Sequence, residues 1–175
     1  MKKLTFLFTV LAFTCICSSV FAQLTKEQAI TEWQRAKAYT KKYLDAMPDD
    51  GYTFKATPEI RTFAGQMLHI ADANYYFASV ASGKASPLGK TSAEKTVAQT
   101  KEATTKAVMD SYDFAISAIE SVPPDQMQQI ATAEGMKVTK AQLLAKAFEH
   151  QTHHRGQTTI YLRLKGVTPP GEMLF

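Results

Sequence analysis

Residues 150–157 read HQTHHRGQ, which places three of the chain's four histidines, His150, His153 and His154, within five positions. On a helix, side chains at i and i+4 lie one turn apart on one face, so His150 and His154 point the same way and His153 falls to the flank. Two neutral imidazoles so placed offer lone pairs to a single cation. Burying them without partners costs a few kcal/mol, so either a cation or other polar groups must satisfy them. An isolated H-x-x-x-H pattern does not choose between these outcomes, and a third ligand is needed to decide. The remaining histidine is His69, within FAGQMLHIAD at 63–72.

The elements that carry these residues read as helices. On a helical wheel Leu143, Ala147, His150, His154, Gln157, Tyr161 and Leu164 step by 4 and 3 residues and form the expected buried seam, with Arg155 pointing well away from it. The apolar stripe around His69 runs through Ile60, Phe63, Met67, Asn74 and Phe77, whereas His69 shares the other side with Thr62, Gln66, Ala73 and Tyr76. The wheel alone therefore leaves His69 either as a surface residue or as a group reached from a second side.

Four helix starts are marked by threonine at an N-cap position. Thr25-Lys-Glu-Gln28, Thr91-Ser-Ala-Glu94 and Thr139-Lys-Ala-Gln142 have the form of capping boxes, and Thr57-Pro-Glu-Ile60 puts proline at the first helical position. No proline interrupts the segments that follow until Pro48, Pro87 and Pro123, and the last runs to Gly166. Expected helices span 25–47, 58–82, 92–121 and 140–165, with a short additional helix around 125–133 in the long third link. Alternation of the strand type appears nowhere at useful length. The fold class expected is all-α, a four-helix bundle with room for a crossover in the third connection.

The first residues, MKKLTFLFTVLAFTCICSSVFAQ, combine two lysines, an apolar run and small residues at Val20 and Ala22, the pattern of a secretory leader cut after Ala22. The expected organisation is a signal peptide over 1–22 and one domain over 23–175, exported to a periplasm or secreted, with no stable membrane span once the leader is gone. Both cysteines, Cys15 and Cys17, lie in the leader, so the mature chain has no disulfide and no thiol nucleophile. Loss of Lys2 and Lys3 lowers the formal charge from +4 to about +2, which gives no support to nucleic-acid binding.

Asp45-Ala-Met-Pro48, YTFKATPEIRTFAGQMLHIADANYYF from Tyr52 to Phe77, and HQTHHRGQTTIYLRLKGVTPP from His150 to Pro170 together resemble the DinB-like family of metal-binding four-helix bundles. The resemblance implies a cleft in which a divalent metal, commonly zinc or nickel, is held by one histidine of the second helix and two of the fourth. Carried over to this chain, these are His69, His150 and His154. It also makes Tyr76, Gln66 and Thr62 candidate cleft residues, and Asp72, His153 and Gln157 candidates for orienting the imidazoles through their second nitrogen. Three neutral ligands leave the charge of the ion and an open position available for catalysis.

Thiol-dependent transfer is the chemistry the resemblance implies, metal-dependent hydrolysis is the alternative, and a non-catalytic metal-binding protein is the opposite class. Export weighs against a reduced thiol cofactor, because an oxidising compartment depletes it. The expected partners are a small-molecule substrate and, for assembly, a second copy of the chain as a homodimer.

Overall fold

The computed structural model describes residues 24–175, so the proposed leader lies outside the described residues. Helix α1 spans Lys26–Ala46, α2 Phe63–Ser82, α3 Ala93–Thr96, α4 Lys101–Ser121 and α5 Lys140–Leu164; strands β1, Ile130–Ala133, and β2, Met136–Thr139, lie between α4 and α5. The four long helices make a bundle: α1 and α2 each pack against both α4 and α5. The capping boxes of α1 and α5 form as read, with the Thr25 and Thr139 hydroxyls accepting from the Gln28 and Gln142 amides and the glutamine side chains answering in return.

The two other starts differ from the sequence expectation for the same reason, distant partners that hold the first amides of the helix. Helix α2 begins at Phe63 rather than near 58, with Thr62 as its N-cap. The Phe63 and Ala64 amides are taken by the carbonyls of Phe54 and Tyr52, so the preceding loop fixes where the helix starts. The expected long helix over 92–121 is two helices. Its first piece, α3, is a single turn whose N-terminal amides at Ala93 and Glu94 donate to the Asp72 carboxylate, at 2.5 and 3.2 Å. After a break Thr100 caps α4.

The expected short helix around 125–133 is a further correction. Only Pro124–Gln126 forms a 3₁₀ turn, and the rest is an antiparallel hairpin pairing Ile130 with Thr139 and Ala133 with Met136. Its two turn residues, Glu134 and Gly135, have φ of 51° and 79°. Positive φ at both central positions is the turn geometry that matches the twist of a tight hairpin, and Gly135 adopts it without steric cost. Strands of four residues are too short for alternation to stand out, although Thr132, Val138 and Thr139 around a glycine carried the signal.

Helix α5 also buries a side that the wheel assigned to solvent. Gln151 is fully buried and Arg155 is 6% exposed, while Leu164, read as part of the seam, is 58% exposed. Arg155 donates from Nη1 to Gln151 Oε1 at 2.7 Å, with Thr40 Oγ1 at 3.4 Å, and its guanidinium stacks 4.4 Å from the Tyr39 ring centre. Tyr112 donates to the same Gln151 oxygen at 2.9 Å. A helix gripped on two sides has two inward stripes, and this one faces α1 and α4 with hydrogen-bonding groups. Gln151→Leu leaves a buried guanidinium and a buried phenol without their shared acceptor, so urea denaturation is expected to show a loss of about 3 kcal/mol or more.

Candidate metal centre

Helices α2 and α5 pack against each other and bring His69, His150 and His154 together. The ring centres are 5.0 Å apart for His69 and His150, 4.6 Å for His69 and His154, and 4.4 Å for His150 and His154. One ring nitrogen from each residue lies within 4.8 Å of those of the other two. Nitrogens at zinc-bond distance around one tetrahedral ion stand ~3.3 Å apart, so ring rotations on the order of 1 Å close the difference. All three side chains are half-buried.

Each imidazole has a distinct second environment. His154 Nδ1 lies 2.9 Å from Gln157 Oε1 and 3.1 Å from Gln66 Oε1. Both neighbours are acceptors, so Nδ1 carries the proton and Nε2 keeps its lone pair for the cluster. Gln66 also donates to Gln157 Oε1 at 3.1 Å, and Gln157 Nε2 meets His153 Nε2 at 3.1 Å, which completes a polar chain from α2 to the exposed flank of α5. His69 Nδ1 faces Glu94 Oε2 at 3.7 Å, and the other oxygen of Glu94 accepts from Arg61 Nε at 3.0 Å. His150 Nδ1 is buried and has no hydrogen-bond partner.

Protonation is suppressed across the cluster. Burial, and after it the neighbouring positive charge on His69, His153 and Arg61, takes His150 down to about 4. His154 is likewise lowered to about 4, mainly by burial and then by His150 and His69. Burial and Arg61 also lower His69, against the opposing pull of Glu94 and Asp72. The His69–Glu94 contact is therefore a meeting of a neutral ring with a carboxylate near neutral pH and not an ion pair. Three neutral imidazoles with free lone pairs are the donor set that a borderline cation such as zinc takes.

A profile of the DinB family matches residues 19–173. The chain belongs to the DinB family. Among its relatives is the uncharacterized protein YjoA of Bacillus subtilis (strain 168), 26% identical over 146 residues that cover 81% of this chain and 91% of that one. The fold is shared with a crystal structure of a DinB-like protein from Bacillus cereus ATCC 10987, at a TM-score of 0.74 and 23% identity over 83% of this chain and 96% of the other. The crystal structure of B. subtilis YjoA matches at a TM-score of 0.67 and 22% identity, with 85% and 96% covered.

The remaining candidates of this DinB-family chain separate cleanly. Gln66 and Gln157 hold His154 directly, and His153 reaches the cluster only through Gln157. Asp72 touches no imidazole nitrogen by a hydrogen bond; it caps α3 and so fixes Glu94, the residue that faces His69. Thr62 caps α2 and donates to Gln99, outside the cluster. Tyr76 accepts from the Glu134 amide and holds the hairpin tip. Glu94 itself was visible in the sequence only as a capping-box glutamate, because nothing local links it to a residue 25 positions upstream.

Folded His150 and His154 refuse protons that the unfolded chain accepts below its ordinary value of 6.5, down to about 4. The unfolded state then binds more protons, so the stability of metal-free protein falls as pH drops through that window and returns as pH rises to 6.5. Urea midpoints at pH 7 and pH 5 are expected to show this loss, and replacing both histidines by glutamine flattens it.

Proposed function

We propose that His69, His150 and His154 hold one divalent cation, zinc or nickel, and that this DinB-family chain is an exported metal-dependent enzyme acting on a small molecule. The observation that carries the reading is the convergence of three neutral imidazoles, one of which keeps a buried nitrogen without a partner. The neighbouring Gln66 and Gln157, by contrast, find partners in each other and in His154. A cation bound there would supply Lewis acidity and would lower the pKa of a coordinated water or thiol.

The residues of the chain do the rest. Gln66 and Gln157 fix the His154 tautomer, and Glu94 faces the second nitrogen of His69 and raises its basicity. Because the rings are neutral at pH 7, no proton has to leave them for a cation to bind. Thiol S-transfer is the reaction class favoured by family, and hydrolysis of an ester or amide is the alternative. Assays with low-molecular-weight thiols plus electrophiles, set against esters and amides, separate the two. Turnover in either assay is expected to disappear in His154→Ala, and turnover that survives this change rules out the triad as its seat.

Protein purified without chelators is expected to carry about one divalent ion per chain by elemental analysis, and His69→Ala or His150→Ala to carry almost none. Zinc at a hundredfold excess over its dissociation constant is expected to stabilise the native chain by about 2.7 kcal/mol, and chelator to reverse this. Export predicts a mature N-terminus at Gln23 in the extracytoplasmic fraction; an intact Met1 in the cytoplasm sinks that part of the reading.

A further inference from the structure

His150 lines a second feature, a cavity of about 440 Å³ between α5, Phe77 of α2 and the β1–β2 hairpin. The volume lies within the range typical of small-molecule sites. Its walls are largely apolar, with Phe77, Met136, Val138 and Leu143 around it, and the Phe77 ring stands 6.2 Å from that of His150. Of the charges at its rim, Lys146 pairs with Glu149 at 2.7 Å. Glu134 adds a carboxylate that no described side chain pairs, which disfavours an anionic occupant. The hairpin packs on α2 and α5 through β1 and β2, and the Tyr76 hydroxyl accepts from the Glu134 amide at 3.1 Å and holds its tip.

A larger apolar cleft of about 560 Å³ lies on another face of α5, beside Trp33 and Phe148, and none of the three clustered histidines lines it. The smaller cavity differs because one of its walls is a proposed ligand residue. We infer that the hairpin cavity receives the uncharged apolar portion of the substrate, an alkyl or aryl group, while the reacting polar end lies at the histidine cluster. The hairpin is then the element that selects the substrate. The inference rests on the proposed metal site for the position of the reacting end, but the cavity itself does not depend on it.

Two measurements test it and keep the two readings apart. Zinc-loaded protein is titrated with acetohydroxamate and with octanohydroxamate, which share a metal-binding head and differ by six methylenes. With about half of each methylene's transfer free energy recovered, the longer probe is expected to bind ~50-fold more tightly. Met136→Asp, at a residue 62% exposed whose change does not threaten folding, is expected to lose at least ~10-fold of that gain. Acetohydroxamate binding should stay unchanged in that variant. Equal affinity for the two probes, or a gain untouched by Met136→Asp, overturns the proposal.

In the second measurement, metal-free protein is titrated with 1-heptanol while methyl resonances are followed. Shifts are expected at Met136, Val138 and Leu143, and their absence there overturns the cavity assignment whether or not zinc binds. Failure of zinc to bind at all, with the heptanol shifts present, removes the metal reading and leaves the apolar site standing.

Discussion

Helix α2 is enclosed by α4, α5, α3 and the β1 strand, and thirteen of its twenty residues are buried. A helix packed from so many directions cannot confine its polar groups to a solvent face, so most find partners inside the protein or at its margin, while Asn74 Oδ1 and Ser79 Oγ stay buried without one. Gln66 meets Gln157 and His154, Asn74 donates to Ser111, and Asp72 caps α3. His69 projects from the same crowded helix toward α5 and Glu94. The enclosure of α2 therefore produces both the core and the histidine cluster, and either would be lost if this helix shifted against α5.

Helix α5 answers with two polar stripes of different character. The stripe toward α1 and α4 is closed by hydrogen bonds: Gln151, Arg155, Thr40 and Tyr112 satisfy one another, and Arg155 finds its remaining stabilisation over the Tyr39 ring. The stripe toward α2 is left incomplete at His150, whose Nδ1 has no partner. Satisfied buried polar groups rigidify a bundle, and an incomplete one next to two other neutral imidazoles has the chemistry of a ligand site. The first stripe ties α5 to α1 and α4 on the side away from the histidine cluster.

A chain of fixed contacts links the cluster to elements that look unrelated in sequence. Asp72 on α2 gives a one-turn helix its cap, and that turn presents Glu94 to His69 and Arg61. Four-residue helices have no stability of their own, since nucleation is costly and propagation has barely begun. Only tertiary contact makes α3 a helix. On the other side of the cluster, Tyr76 holds the hairpin tip beside the cavity that His150 lines.

The sequence by itself determined the long helices, through proline-free segments, the threonine capping boxes at 25 and 139, and apolar periodicity, because these act over one or two turns. It also determined that His150 and His154 share a face, since i, i+4 spacing is a property of any helix. The HQTHHRGQ stretch and the segment around His69 carried the family. Tertiary structure alone decided where α2 starts, why α3 is separate from α4, and that residues 130–139 pair as a hairpin. It decided the burial of Arg155 as well, which a wheel with one inward stripe sends to solvent. For His69, which the family resemblance implied and periodicity left open, it supplied the physical reason: periodicity assumes one buried side per helix, α2 is buried on nearly all of them, and its packing against α5 puts the third imidazole beside the other two.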